Sequence, residues 1–179
     1  MGSNMFGGGL WSQQSVKRKV FVSYHHHGDQ GYYDVFSKTF CDTYDVITDN
    51  SLERRIDSED VNYVIRRIRE GYVTGSSCTI VLVGKETWGR RYVDWEIQAT
   101  LEKEHGLIGV QLPTAPITPQ NTVTVPDRLN DNIHSGYALW LSWQQITVGA
   151  QACTQYIEQA NTRDKRLIIN TRERRLRNG

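Results

Sequence analysis

The stretch "CTIVLVG", residues 78–84, decides the fold of this chain. It places apolar and β-branched residues in one unbroken run and closes the run with a glycine. Such a run is typical of a strand that is buried on both faces, as in a parallel sheet. The sequence therefore predicts a buried strand here, with helices covering both of its sides.

Other short apolar runs on both sides of this stretch alternate with segments of helical periodicity. The predicted strands, including the first stretch, are residues 19–24, 44–48, 78–84, 107–112 and 137–143. The predicted helices are residues 32–40, 59–70, 92–104 and 149–161. Strand and helix that alternate in this way indicate an α/β protein. We expect a flavodoxin-like three-layer sandwich around a mostly parallel, five-stranded sheet.

Local signals set the expected boundaries of these elements. "HHHGDQG" is predicted to stop the first strand, so that His26 and His27 would lie in a loop. Ser58 is a plausible N-cap for the second helix, and Gly71 is expected to end it. Residues 113–136 hold all four prolines of the chain and are predicted to form one long loop.

Composition limits the class of protein. The 179 residues suit one domain, and 21 basic against 20 acidic side chains give no overall charge that favours nucleic acid or a membrane surface. No apolar run approaches the ~18 residues of a membrane span. The three cysteines lie far apart and match neither a disulfide framework nor a zinc pattern. We therefore expect a reduced, cytoplasmic protein without a bound metal.

The ends of the chain differ from its middle in composition. Residues 1–17 are rich in Gly and Ser and are predicted to be a flexible leader, and residues 18–165 to form the domain. Residues 166–179 form a basic tail. A solvated, frayed terminal segment is the expected structure of the basic stretch 163–177, and a binding surface for an acidic partner is the alternative.

The predicted fold also indicates where a ligand binds. In open α/β sheets, ligands bind beyond the carboxyl ends of the strands. This rule brings together the residues after the first, second and third strands, which are residues 24–27, 49–57 and 84–96. Glu96 falls in the last of these segments. By spacing alone, a solvent-facing glutamate is the favoured reading of Glu96, and Asp94 is expected to be an ordinary helix-surface carboxylate. Cys78 is expected in the core.

Several segments in order resemble a TIR domain. "KVFVSYHHHGDQ" is similar to the first TIR motif, and "CTIVLVGKETWGRRYVDWEI" is similar to the third strand, its loop and the helix that follows. Together with "PDRLNDNIHSGYA", these segments resemble the TIR-like branch that includes Thoeris-type proteins of bacterial anti-phage defence. The resemblance covers roughly residues 19–143.

The resemblance implies that the protein cleaves NAD, with Glu96 as the catalytic carboxylate. An aromatic residue four positions earlier accompanies this glutamate in the family, usually Trp, and is Tyr92 here. NAD would be the substrate, and no cofactor or metal is implied. The predicted substrate-binding residues are Ser23, Tyr24, His25, Asp49, Trp88, Arg90 and Tyr92.

The resemblance also implies a biological setting. Thoeris-type relatives convert NAD to a cyclic ADP-ribose-like signal that activates an effector protein, and TIR enzymes commonly self-associate. One alternative is a non-catalytic TIR scaffold that acts by self-association, because a fold does not fix a function. A phosphoacceptor domain of the same architecture is disfavoured, because "SYHHHGD" lacks the acid pair that such a domain needs after its first strand.

Overall fold

One sheet of five parallel strands forms the centre of the molecule. The computed structural model describes residues 17–47 and 60–179. The strands are Arg18–Ser23 (β1), Tyr44–Ile47 (β2), Ser76–Val83 (β3), Gly106–Gln111 (β4) and Leu139–Ser142 (β5). They lie in the order β2-β1-β3-β4-β5, and every neighbouring pair is parallel. This confirms the predicted α/β fold and its parallel sheet.

Helices cover both faces of the sheet and complete the three layers. In the described part of the chain they are His26–Phe40 (α1), Val61–Arg67 (α2), Arg91–Glu102 (α3), Asp127–His134 (α4), Trp143–Thr147 (α5) and Ala150–Asn161 (α6). Short 3₁₀ turns occur at Thr87–Gly89 and Lys165–Leu167. No helix among the described residues is both long and apolar enough to cross a bilayer.

Strand alternation divides the core between the two faces of the sheet. Val22 and Leu82 point to the face covered by α1 and α6, where they pack with Phe36. Phe21 and Val81 point to the opposite face, which α2, α3 and α4 cover. Successive side chains of a strand point to opposite faces, so each strand contributes to both clusters. Both faces of β3 are buried, so this strand carries an unbroken apolar run, residues 80–83, rather than an alternating pattern.

The prediction that His26 and His27 lie in a loop is wrong. Helix α1 begins at His26 rather than residue 32, and His25 occupies its N-cap position with extended backbone. By its low intrinsic helix propensity, Gly28 favours a turn over a helix. The buried carboxylate of Asp29, in the first turn, is held by contacts from other elements and fixes the helix start. Tertiary contacts thus override local propensity.

The start and end of α2 also differ from the prediction. Asp60 caps the helix, accepting hydrogen bonds from the backbone N–H groups of Asn62 and Tyr63. The predicted cap Ser58 and the loop 49–58 lie outside the described residues. The prediction that Gly71 ends the helix is wrong, since the chain continues as a wider π-helical turn, Ile68–Val73, in place of the tighter α-helical one.

The prediction of one long loop over residues 113–136 is also wrong. Helix α4, Asp127–His134, begins directly after Pro126. Two polar side chains on this helix, Arg128 and Asn132, are fully buried. They lie one turn apart on one face, because side chains four residues apart align on a helix. Their partners come from the end of the chain, which a local reading of the sequence does not connect with this helix.

Candidate functional site

The carboxyl ends of β1 and β3 form the expected ligand-binding edge. These two strands are neighbours in the sheet, but β1 is followed by β2 on one side while β3 continues to β4 on the other. A parallel sheet opens a crevice at such a reversal of strand order. Ser23 ends β1 beside Val81 of β3, so the segments that follow both strands meet at this edge.

A cavity of about 240 Å³ opens at this edge of the sheet. The first turn of α1 and the loops after β3 and β4 supply its walls. Its lining residues are His25, His27, Gly28, Asp29, Lys85, Glu86 and Thr114. The N-terminus of a helix carries partial positive charge, and a lysine adds a full one. The cavity therefore offers groups suited to an anionic ligand, next to a buried carboxylate.

That carboxylate belongs to Asp29, which sequence analysis did not single out. It is 2% exposed and accepts hydrogen bonds from Thr114 Oγ1 at 3.2 Å and Thr87 Oγ1 at 3.3 Å. A Cβ atom on Gly84 would lie 2.2 Å from Asp29 Oδ1, so this approach of backbone to carboxylate requires glycine. Burial raises the pKa of Asp29, and the two threonine hydrogen bonds oppose that rise. The polar residues in "HGDQG" and "GKET" were the available signal.

The structure brings two of the predicted substrate-binding residues together through a third side chain. Glu86 forms an ion pair with Arg90, and its Oε2 lies 4.0 Å from His25 Nδ1. His25 is 6% exposed at the cavity wall. These side-chain contacts join the loops after β1 and β3. Sequence analysis missed Glu86, since nothing local connects it to His25, 61 positions earlier.

Glu96 is buried in the first half of α3. It is 6% exposed, which makes the solvent-facing reading of this residue wrong. Tyr92, Trp95, Glu96 and Ala99 recur at helical spacing, and Trp95 and Ala99 pack against Phe21 of β1. Glu96 therefore lies on the stripe of α3 that faces β1. A carboxylate in such a position needs polar partners, because burying an unpaired charge is costly.

The register between α3 and the sheet places Glu96 near Ser23. Thr100 of α3 and Thr79 of β3 share a hydrogen bond of 2.7 Å between their hydroxyls. Glu96 is four residues before Thr100, about 6 Å nearer the carboxyl edge, because α3 runs opposite to the strands. Val81 is two strand residues beyond Thr79, about 6.6 Å in the same direction, and pairs with Ser23. Glu96 and Ser23 are thus on one level and on the same face.

The Ser23 hydroxyl is a buried polar group on this level. The residue is 1% exposed, and its Oγ has no hydrogen-bond partner within the described ranges 17–47 and 60–179. Buried hydroxyls nearly always have a partner, so an unmet one in a native structure requires an explanation. A ligand atom that enters beside Glu96 would provide that partner.

The predicted aromatic residues divide between the two faces. Tyr24 follows Ser23 and points to the opposite face, where its ring stacks on Tyr33 at 4.8 Å and its hydroxyl donates to Gln30. The structure therefore does not place Tyr24 with Glu96 on the α3 face. Tyr92 is on that face and meets Trp95 edge-on, with 5.2 Å between ring centroids.

Trp88 and Asp49 complete the predicted set. Trp88 is 39% exposed in the turn before α3, and the guanidinium carbon of Arg175 lies 6.0 Å from its ring centroid. The exposed ring is available for stacking, although the residues nearest to it come from the end of the chain. Asp49 lies outside the described residues, so its predicted role is a proposal only.

Two predictions about charged residues are wrong. Asp94 is buried, not on the surface, and its carboxylate accepts a hydrogen bond from the fully buried Arg128 at 2.9 Å. The basic segment 163–177 is not frayed, because it packs against α3 and α4 through several hydrogen bonds. Sequence analysis missed Arg128, since a single arginine in a segment read as a loop carries no signal of burial.

A known protein family matches more than half of this chain. The model of the family described as "Thoeris protein ThsB, TIR-like domain" matches residues 21–117, more than half of the chain. The chain belongs to this family. The matched residues of the TIR-like domain include the cavity, Ser23 and Glu96, and they confirm the resemblance seen in the sequence.

One curated relative matches a shorter stretch of the chain. It is a protein of Bacillus cereus (strain MSX-D12) with the name "Putative cyclic ADP-D-ribose synthase ThsB1". The two proteins are 35% identical over 48 residues, which is 27% of this chain and 25% of the relative. The match thus spans about a quarter of the length of that relative.

Replacement of Ser23 by Ala tests whether the buried hydroxyl contributes to the stability of the fold. Because no residue in the described ranges is a hydrogen-bond partner of this buried hydroxyl, Ser23→Ala should leave the free energy of unfolding unchanged or raise it by ~1 kcal/mol. Ser76 is the matched control, since its buried hydroxyl donates to the Val73 carbonyl at 2.8 Å. Ser76→Ala should lower the free energy of unfolding by ~1 kcal/mol. Urea denaturation measures both, and a marked loss of stability in Ser23→Ala would contradict this account of its hydroxyl.

Asp29 is expected to make stability fall as pH rises. In the folded protein the pKa of Asp29 lies above the ordinary value of 3.8. As the pH rises, Asp29 therefore ionises at a lower pH in the unfolded chain than in the folded one, which stabilises the unfolded chain relative to the folded one. Asp29→Asn lacks this titration. The unfolding free energy of the wild type, minus that of the variant, should therefore decrease between about pH 3 and about pH 7. Denaturation of both proteins across this range measures the difference, and a constant or increasing difference would contradict the expectation.

Proposed function

We propose that this TIR-like domain cleaves NAD at the bond between nicotinamide and ribose, with Glu96 as the catalytic carboxylate. The observation that carries the proposal is the position of Glu96. It is buried on the stripe of α3 that faces β1, level with the unmet hydroxyl of Ser23, at the edge of the sheet where ligands bind.

The proposed reaction needs a negative charge near the ribose. As the bond from ribose C1′ to nicotinamide N1 breaks, its electron pair leaves with neutral nicotinamide, and positive charge remains on the ribose as an oxocarbenium-like state. A carboxylate fixed in a water-poor site stabilises that charge, as in glycoside hydrolysis. Nicotinamide leaves without a proton, so one carboxylate suffices where a glycosidase uses two. Glu96 supplies this charge in the proposal.

The remainder of NAD has candidate contacts at the cavity and near the start of α3. The pyrophosphate carries negative charge, for which His25, Lys85, Arg90 and the N-terminus of α1 are suited. The cationic nicotinamide ring can stack on an aromatic face, and Tyr92 and the exposed Trp88 supply such faces near the start of α3. In this arrangement Ser23 donates to, or accepts from, the ribose hydroxyls.

The proposed product is a cyclic ADP-ribose-like molecule. In this route an atom of the ADP-ribose itself attacks C1′ and releases a proton, whereas in hydrolysis water attacks. A site closed to water favours the internal attack. The name of the Bacillus cereus relative, "Putative cyclic ADP-D-ribose synthase ThsB1", supports this choice. In a Thoeris-type role, the product would activate an effector protein in anti-phage defence, and self-association of the domain would complete its site.

Replacement of Glu96 by Gln is expected to abolish most of the NAD cleavage. Glu96→Gln removes the charge and keeps the shape, so kcat should fall by about 10²-fold or more. Glu102→Gln is the matched control on the same helix. Glu102 lies 3.6 Å from Arg69 at the far end of α3, and its replacement should leave kcat unchanged. Chromatography with mass detection of nicotinamide release measures both variants against the wild type.

The mass of the second product distinguishes the two routes. ADP-ribose indicates hydrolysis, and the same mass less one water indicates cyclisation. The assay should use high protein concentration and also extract from phage-infected cells, because TIR enzymes commonly need assembly. Wild-type turnover in Glu96→Gln would refute the catalytic role. If the wild type consumes no NAD under either condition, the proposal fails and the self-associating scaffold becomes the leading account.

A further inference from the structure

The last residues of the chain form an extended segment that lies across α4 and α3, and residues 168–179 are named here the strap. Its first anchor is Asn132 of α4, which is fully buried. The Asn132 side chain accepts a hydrogen bond from the Ile169 N–H at 3.0 Å and donates to the Ile169 carbonyl at 2.7 Å. Both backbone groups of one strap residue are thus held by one amide.

The second anchor is the fully buried guanidinium of Arg128. It donates to the Arg172 carbonyl at 3.1 Å, the Glu173 carbonyl at 3.2 Å and Asn170 Oδ1 at 2.6 Å. On its other side it donates to Asp94 on α3 through Nε at 2.9 Å and Nη2 at 3.3 Å. A buried charge requires such complete pairing. Arg128 therefore connects the strap, α4 and α3 in one polar network.

The third anchor lies on α3, at Asp94 and Trp95, which directly precede Glu96 in the sequence. The Arg175 N–H donates to Asp94 Oδ2 at 3.0 Å, and Trp95 Nε1 donates to the Arg175 carbonyl at 2.9 Å. Both backbone groups of Arg175 are thus held by neighbours of Glu96 in sequence. The strap is in direct contact with the turn of α3 that carries the proposed catalytic residue.

The strap also supplies the cap that α3 lacks. No side chain at the N-cap position, Arg90, bonds the first turn of the helix. Asn178 Oδ1 accepts the Arg91 N–H at 3.0 Å, and the Gly179 N–H donates to the Gly89 carbonyl at 2.8 Å. The first N–H groups of a helix have no partner within it, and a side-chain oxygen that accepts one of them stabilises the helix start.

We infer that the strap positions Glu96 for catalysis, by fixing the first two turns of α3. This inference rests on the proposed function. The strap holds α3 at Arg91, Asp94 and Trp95, which leaves Glu96 no freedom to shift along or about the helix axis. Catalysis by a fixed charge is sensitive to displacement, and an error near 1 Å can cost up to about 10² in rate. Asn178 and Arg128 are in this sense positioning residues.

The test is the full-length variant Asn178→Ala, with Arg177→Ala as the matched control. Asn178 caps α3. Its neighbour Arg177 is exposed and forms no hydrogen bond or ion pair with another described residue. Asn178→Ala should lower kcat roughly fivefold or more and leave KM for NAD unchanged, because it displaces a charge rather than a binding contact. Arg177→Ala should match the wild type in both constants.

A second variant and a second measurement distinguish a local effect on α3 from general unfolding of the protein. Arg172→Gln removes the hydrogen bond of 2.9 Å from Arg172 Nη2 to Asp131 Oδ1 of α4, a contact separate from the cap at Arg91. It should release the strap in part and lower kcat in the same direction. Hydrogen exchange at the α3 amides, measured by mass spectrometry, should be faster in both variants while the β3 amides keep their protection.

The outcomes separate the two proposals. A lower kcat, together with faster exchange confined to α3, supports the strap as a positioning element. Faster exchange at α3 with wild-type kcat overturns the inference and leaves NAD cleavage standing. Unchanged exchange in both variants also overturns it, because α3 would then not depend on the strap. A wild type that fails to cleave NAD overturns the proposed function, and the inference with it.

Discussion

A parallel sheet with both faces covered is the constraint on which the rest of this molecule depends. Each strand must be apolar on both sides, so the polar chemistry cannot lie in the middle of the sheet and collects where the strands end. At that edge, the loops after β1 and β3 bring His25, Glu86 and Arg90 into one group of polar contacts. Glu96 follows the same rule, because α3 starts at the edge and returns along the sheet.

The sequence was informative where structure is local and periodic. The buried run at 78–84 and the alternation around it predicted the five parallel strands, and the order of motifs predicted the family. Local signals failed at "HHHGDQG", where glycine and histidine disfavour a helix but Asp29 is held in place by Thr87 and Thr114. Those threonines are far away in sequence, so no window of neighbouring residues contains the information.

The same limit explains the errors at Asp94 and in the basic tail. The partner of Asp94 is Arg128, 34 positions later, and the partners of Arg128 lie more than 40 positions further on. Composition correctly shows that the tail is basic, and a basic segment is commonly solvated. This tail is ordered instead, because the buried guanidinium of Arg128 in α4 needs the tail's carbonyl groups as hydrogen-bond acceptors. The position of Glu96 could be proposed from a motif, whereas its supporting contacts required coordinates.

The manner in which the strap is held has a consequence for how this region can change in evolution. Its anchors at Ile169 and Arg175 engage peptide N–H and C=O groups, which every residue except proline offers. The amino acids at these two positions can therefore be substituted in evolution with little effect on the hydrogen bonds. The number of residues between the anchors is not free, because one insertion or deletion would move every later peptide group out of reach of its partner. Homologous straps should thus agree in length and in the absence of proline at the anchors far more than in sequence.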